Sequence, residues 1–311
     1  MGTPDFAVES LKVLVENNYH IVGVVTAPDR PAGRGQKIKQ SPVKEYALSQ
    51  DIPVLQPEKL KNPAFLDELK ALQADLQIIV AFRMLPEVVW NMPLLGSLNL
   101  HGSLLPHYRG AAPINWAVIN GEKETGVTTF FLQHEIDTGN IIFQDKVTIE
   151  EDDNAGSVHD KMMITGAQLV LKTVQAIIAD EVNTTPQTEL LAGAEAIQAP
   201  KIFKEDCRIN WQLSATEIRN KIRGLSPYPT AWTEIEFEDG KKLSMKLFAA
   251  QFKTDLMLEP GAIQTDAKTY FAIGTNDQTL AITELQLAGK KRMTVKDFLR
   301  GYNADQEVKA I

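Results

Sequence analysis

Five consecutive residues without a polar side chain, Ile78-Ile-Val-Ala-Phe82, constrain this chain more than any other feature. The run is far too short to cross a bilayer, and too short to be a buried helix in its own right. It also lacks the alternation of a strand with one wet face. It is therefore expected to be a strand covered on both sides, in a sheet flanked by helices. The surrounding sequence agrees. Strands are expected over residues 20–27, 52–55, 76–82, 97–101 and 127–132, interleaved with helical patterns from Thr3-Pro4 to about Val15 and over Ala155 to Ile178. The first two-thirds of the chain thus reads as α/β with a parallel-rich sheet.

Residues 180–200 lose this periodicity, and Asn183-Thr-Thr-Pro186 reads as a linker. Beyond it, Ser214-Ala-Thr-Glu217 is a capping-box signal for a helix to about Arg223. Short strands are expected over 231–237, 243–252, 261–264, 270–274 and 280–287, with Asp239-Gly240 as a hairpin turn. This pattern suggests a small β-barrel, and the five-stranded oligonucleotide-binding (OB) barrel is one candidate. A length of 311 residues suits two domains. The expected division is a catalytic domain over 1–180, a linker over 181–203 and a second domain over 204–311.

Composition excludes several classes. The single cysteine, Cys207, allows neither an internal disulfide nor a cysteine metal cluster. His20, His107, His134 and His159 show no metal-ligand spacing, so no metal is expected. No apolar run is long enough for a membrane span and no secretion signal opens the chain, so a cytoplasmic protein is expected, and a monomer. Net charge is −8. It is unevenly spread, because residues 201–311 hold 17 basic and 15 acidic side chains while residues 1–200 hold 15 and 25. Residues 28–44 carry Arg30, Arg34, Lys37, Lys39 and Lys44 against Asp29 alone. An acidic chain with local basic stretches leaves a polyanionic partner open.

The densest polar signal is Ser97-Leu-Asn-Leu-His-Gly-Ser-Leu-Leu-Pro106. Strand alternation puts Ser97, Asn99 and His101 on one face, at the carboxyl end where open α/β sheets bind ligands. A second signal is Glu135-Ile-Asp137-Thr-Gly-Asn140. Taken singly, these are a capped strand end and a turn. Taken together, an amide, an imidazole and a carboxylate can perform acyl transfer without a covalent step. Asn99 and His101 would donate to a developing oxyanion, and Asp137 would set the charge and tautomer of His101. There is no nucleophile elbow, and Ser103 reads as a loop donor. The Pro28-to-Pro42 segment contains Gly33-Arg34-Gly35, which matches neither a Walker loop nor a dinucleotide fingerprint. It is either a solvated loop or a phosphate-gripping one with Arg34 at its apex. The same choice holds for Lys290-Lys291-Arg292.

Asn99-Leu-His101-Gly-Ser-Leu-Leu-Pro106 resembles the Asn-x-His…Ser-Leu-Leu-Pro motif of folate-dependent formyltransferases, and Asp137-Thr-Gly139 resembles that family's third catalytic position. Gly2-Thr-Pro-Asp-Phe-Ala7, the Pro28-to-Pro42 loop, Arg109-Gly-Ala-Ala-Pro113 and Arg223-Gly-Leu-Ser-Pro-Tyr-Pro-Thr-Ala-Trp232 are similar to the branch acting on methionyl-tRNA. The resemblance implies a Rossmann-like formyltransferase domain followed by an OB-like barrel. It implies transfer of the formyl group of 10-formyltetrahydrofolate to the α-amine of methionyl initiator tRNA. It also implies Asn99, His101 and Asp137 as catalytic residues and Ser103, Leu104, Leu105 and Pro106 as the folate-lining segment. Arg34, Lys37, Lys39, Lys290, Lys291 and Arg292 are the expected tRNA contacts. Two departures stand out. The family has a short apolar strand before Gly-Thr-Pro, where this chain begins at Met1, so an upstream start is expected. Phe82-Arg83 replaces the family's frequent Tyr-Gly in the folate pocket. The rival readings are a formyltransferase acting on a sugar-nucleotide amine and a non-catalytic tRNA-binding protein. A glycinamide ribonucleotide formyltransferase would not need residues 201–311.

Overall fold

The structure is a computed structural model that describes residues 1–32, 37–238, 240–302 and 308–311. In chain order its elements begin with α1 (Asp5–Glu16), β1 (Val24–Val25), β2 (Arg30–Ala32), β3 (Lys37–Lys39), α2 (Pro42–Ser49), β4 (Val54–Leu55), α3 (Pro63–Ala71), β5 (Gln77–Val80) and α4 (Glu87–Trp90). Then come β6 (Ser97–His101), β7 (Arg109–Gly110), α5 (Pro113–Ile119), β8 (Glu124–Phe131), β9 (Ile141–Thr148), α6 (Ala155–Ile178), α7 (Gln187–Leu191) and β10 (Gln198–Ala199). The rest is α8 (Ala215–Gly224), β11 (Ala231–Phe237), β12 (Lys242–Phe252), β13 (Ile263–Thr265), β14 (Phe271–Gly274), β15 (Thr279–Leu287), β16 (Met293–Thr294), α9 (Val295–Leu299) and β17 (Val308–Ala310). Among the described residues no helix is long and apolar enough to cross a membrane.

The chain divides into two compact units, one of residues 1–110, 124–148 and 159–198, the other of 111–123, 149–158 and 199–311. The first unit is Rossmann-like. β1 pairs with β4 and β5 with β6, both in parallel, although β5 ends at Val80 and leaves Ala81 and Phe82 of the apolar run outside the strand. From β6 onward the pairing changes, because β6–β8 and β8–β9 are antiparallel. The sheet is thus parallel only on its N-terminal side. A β8–β9 hairpin can return directly, whereas a parallel pair would need a crossover helix between them. The inner face of β6 packs on α6, where the Leu100 side chain lies so close to Gly166 that an added Cβ there would sit 2.8 Å from it.

The two parallel pairs do not meet directly. Met1 and Gly2 lie between them, with the Gly2 amide donating to Val25 O (3.1 Å) and the Val80 amide to Met1 O (2.9 Å). The Met1 amine donates to Ile78 O at 2.6 Å, and burial pulls it from its ordinary 8.0 to about 5. Beside it lies a cavity of about 150 Å³, lined largely by apolar side chains such as Leu14, Val22, Val24, Leu72 and Ile78. Ser10 also faces this cavity, and its buried hydroxyl has no hydrogen-bond partner among the described residues.

The second unit is a nearly closed antiparallel barrel in the order β13-β14-β15-β12-β11-β17. An isolated Ala262↔Lys309 bridge draws the two edges together. The core of the barrel is Ile235, Met245, Leu247, Phe271, Ile282 and Leu285, with Ile218, Ile222 and Leu225 packed against it from the α8 segment. The capping box forms as expected, with Ser214 and Glu217 each satisfying the other's backbone amide. Helix α5 belongs to this unit although it precedes residue 181. Asn115 donates to Gly224 O at 2.8 Å, and α5 approaches α8 so closely at Gly224 that a Cβ would lie 2.5 Å from Ile119.

Candidate active site

The site grows from the carboxyl end of β6. His101 pairs with Thr128 and Asn99 with Phe130 across the β6–β8 ladder, so Asn99 and His101 leave the sheet on the face opposite α6. The Asn99 side-chain amide has no hydrogen-bond partner among the described residues, which leaves its donors available. His101 is buried, and its Nε2 lies 2.8 Å from Tyr108 O. A carbonyl can only accept, so Nε2 carries a proton and Nδ1 is the nitrogen turned toward the site. Asp137 Oδ2 stands 3.9 Å from that Nδ1. This is beyond hydrogen-bond length but close enough for a charge to be felt. Tyr108 O therefore orients the His101 ring, while the Asp137 carboxylate stands too far from Nδ1 to hydrogen-bond to it in this structure.

Two residues that hold this arrangement have left-handed backbone without being glycine. They are Tyr108 (φ 61°) and Asp137 (φ 55°). Such conformations cost on the order of 1–3 kcal/mol and persist only where the surroundings enforce them. Tyr108 is held by its amide donating to Ile197 O at 2.6 Å. Asp137 is held at its side chain, where the Gly110 amide donates to Oδ2 at 3.1 Å. It is also held at its backbone, where Gln187 Nε2 donates to Asp137 O and Gly139 O, both at 2.8 Å. Gly139 must be glycine, since a Cβ there would lie 1.8 Å from Phe131 O.

The segment Ser103 to Pro106 is braced from within. Ser103 Oγ donates to His107 O at 2.7 Å, so its hydroxyl is committed to the loop. Thr128 Oγ1 donates to Ser103 O and accepts from the Leu105 amide, while Gln144 Nε2 donates to Leu105 O and Thr128 Oγ1. Ser103, Leu105 and Pro106 are buried, and Leu104 is half-buried. Arg83, one of the two residues that depart from the family pattern, donates to the carbonyls of Glu58 and Pro57 and lies over the Phe82 ring.

The basic residues are distributed less uniformly than their spacing suggests. Arg34 and the Lys37 side chain lie outside the described residues. Lys39 is exposed on β3, and Lys290 and Lys291 are exposed after β15. Arg292 is engaged, paired with Glu284 and stacked 4.4 Å over Phe248. Lys44 is also engaged, donating to Asp29 at 2.6 Å and Gln56 at 2.7 Å. Tyr108, Thr128, Gln144 and Gln187 brace the candidate site, and sequence reasoning did not single them out. Thr128, a polar residue inside an apolar strand, was a usable signal. Nothing local marked Gln187.

Residues 1–174 match the family model described as formyl transferase, and residues 201–303 match formyl transferase, C-terminal domain. The chain belongs to the formyl transferase family. This formyl transferase is 58% identical to the methionyl-tRNA formyltransferase of Phocaeicola vulgatus over 313 residues, covering 99% of this chain and 96% of that protein. It is 56% identical to the methionyl-tRNA formyltransferase of Bacteroides thetaiotaomicron over 303 residues, 97% of this chain and 94% of that one. Among solved structures, WlaRD, a sugar 3N-formyl transferase, aligns with TM-score 0.65 at 21% identity over 93% of this chain and 97% of its own. HypX from Aquifex aeolicus in complex with tetrahydrofolic acid aligns with TM-score 0.60 at 21% identity over 85% and 47%. At such identity these two structures speak for the fold alone.

Proposed function

We propose that the chain transfers the formyl group of 10-formyltetrahydrofolate to the α-amino group of methionyl initiator tRNA. One observation carries the chemistry: an uncommitted Asn99 amide, a His101 Nδ1 and the Asp137 carboxylate converge at the carboxyl end of β6. The neutral methionyl amine attacks the formyl carbon, and the carbonyl oxygen becomes an oxyanion. Asn99 Nδ2 and protonated His101 Nδ1 donate to it, with Asp137 balancing the imidazolium. Collapse breaks the bond from the formyl carbon to N10. The proton lost by the amine passes to the Asp137 carboxylate, because both His101 nitrogens already carry protons; His101 Nδ1 gives its proton to N10, which leaves as tetrahydrofolate, and Asp137 then reprotonates Nδ1.

The substrate assignment is supported by relatives of more than half identity named for methionyl-tRNA. Ser103 to Pro106 is read as the wall of the folate site, its backbone held in shape by Thr128 and Gln144. Arg34, Lys37, Lys39, Lys290, Lys291 and Arg292 are read as contacts to tRNA phosphates, with Arg292 the weakest because Glu284 already offsets its charge. The test offers 10-formyltetrahydrofolate with charged initiator tRNA, free methionine and an amino-sugar nucleotide in parallel. Transfer to the tRNA alone is expected, and equal or better transfer to the sugar amine would overturn the assignment. Replacing Asn99, His101 or Asp137 singly by Ala should lower kcat by about 10²–10³-fold, the usual effect of losing an oxyanion donor.

A further inference from the structure

We propose that Gln187 is the positioning residue of this site, a single side-chain amide that clamps the loop carrying Asp137 onto the strand that anchors His101. The inference rests on the reading of Asn99, His101 and Asp137 as the formyl-transfer group. Residues 133–136 are exposed, and within the loop only a Thr138-to-Glu135 hydrogen bond is local. Asp137 nevertheless sits in left-handed backbone at a fixed place. The restraint comes from outside the loop.

Gln187 is 2% exposed, and all of its hydrogen-bonding capacity on the loop side is used. Nε2 donates to Asp137 O and to Gly139 O, bracketing Thr138. Oε1 accepts from Arg109 Nε at 3.0 Å and Nη2 at 2.6 Å. The amide orientation is unambiguous, because a flip would face a carbonyl with two carbonyls and an NH₂ with a guanidinium. Gln187 is itself pinned two residues earlier, where Thr185 and Ile141 exchange amide-to-carbonyl bonds of 2.9 Å. The residue it seats, Arg109, lies between the two other anchors of the site. Tyr108 O on one side orients His101, and the Gly110 amide on the other donates to Asp137 Oδ2. One amide thus fixes the carboxylate relative to both its own donor and the ring it serves.

Two variants separate positioning from bulk. Gln187→Leu removes every polar contact, and Gln187→Glu keeps an acceptor for Arg109 while losing both donors to the loop. Each should lower kcat for formyl transfer to methionyl-tRNA by about 10–100-fold, as expected for a small misplacement of a catalytic group, with KM for either substrate changed less than about 2-fold. In a double-mutant cycle, adding Gln187→Leu to Asp137→Ala should cost less than about 2-fold more. Independently of activity, the NMR amide-proton resonance of Gly110 should move in Gln187→Leu toward its position in Asp137→Ala. Should the Leu variant not fold, as judged by circular dichroism, the Glu variant carries the same measurements. Unchanged kcat, losses that multiply fully with Asp137→Ala, or a Gly110 amide left at its wild-type position would each overturn the proposal. If the wild-type protein transfers no formyl group, the functional reading fails. The Gly110 comparison then still decides whether Gln187 positions Asp137.

Discussion

His101 enters the site with one nitrogen already committed. Because Nε2 donates to Tyr108 O, the proposed reaction requires the proton that reaches the oxyanion to sit on Nδ1, the nitrogen nearer the Asp137 carboxylate. The backbone conformations that produce this are unfavourable at Tyr108 and Asp137 and are enforced by neighbours. Gly139 shows how little slack remains, since a methyl group there would collide with Phe131 O. Gly139→Ala should destabilise the protein by about 1–3 kcal/mol, the range for overpacking, and lower kcat more than it alters either KM. A urea midpoint and steady-state rates on the same preparation check both effects. A variant with wild-type stability and rate would show that the turn can be remodelled freely.

At the scale of elements, β6 carries the candidate residues Asn99 and His101, and β8 holds the loop that follows it. Thr128 is fully buried and joins Ser103 O, the Leu105 amide and Gln144 in one hydroxyl-centred network. Thr128→Val keeps the shape but leaves the Leu105 amide unpaired, so a loss of about 1–3 kcal/mol is expected in chemical denaturation. KM for the folate substrate should rise if that loop is its wall. The sequence disclosed much of this layer. Ser97 to His101, Ala155 to Ile178 and Ala231 to Phe237 have the bounds that alternation and helical spacing suggest. The strand expected over 20–27 is only Val24–Val25, because neighbouring pairing and not apolarity decides where a ladder ends. Asn99, His101 and Asp137 stood out as candidates because each is polar where the local pattern is otherwise satisfied. Gln187 did not, since its place beside Asp137 depends on Ile141 bridging Thr185 across 44 residues of chain, a contact that no local periodicity encodes. The switch to antiparallel pairing after β6 was hidden for a similar reason: β8 is buried over six of its eight residues and so reads like a strand covered on both faces.

At the scale of the whole molecule, the net charge of −8 conceals two differently charged portions, an acidic one over residues 1–200 and a slightly basic one over residues 201–311. The cavity in the first unit has a mechanical consequence. Unfolding floods a void of about 150 Å³ with water, which adds on the order of tens of mL/mol to the volume lost on unfolding. The fold should therefore lose stability as hydrostatic pressure rises, which a pressure titration followed by intrinsic fluorescence checks.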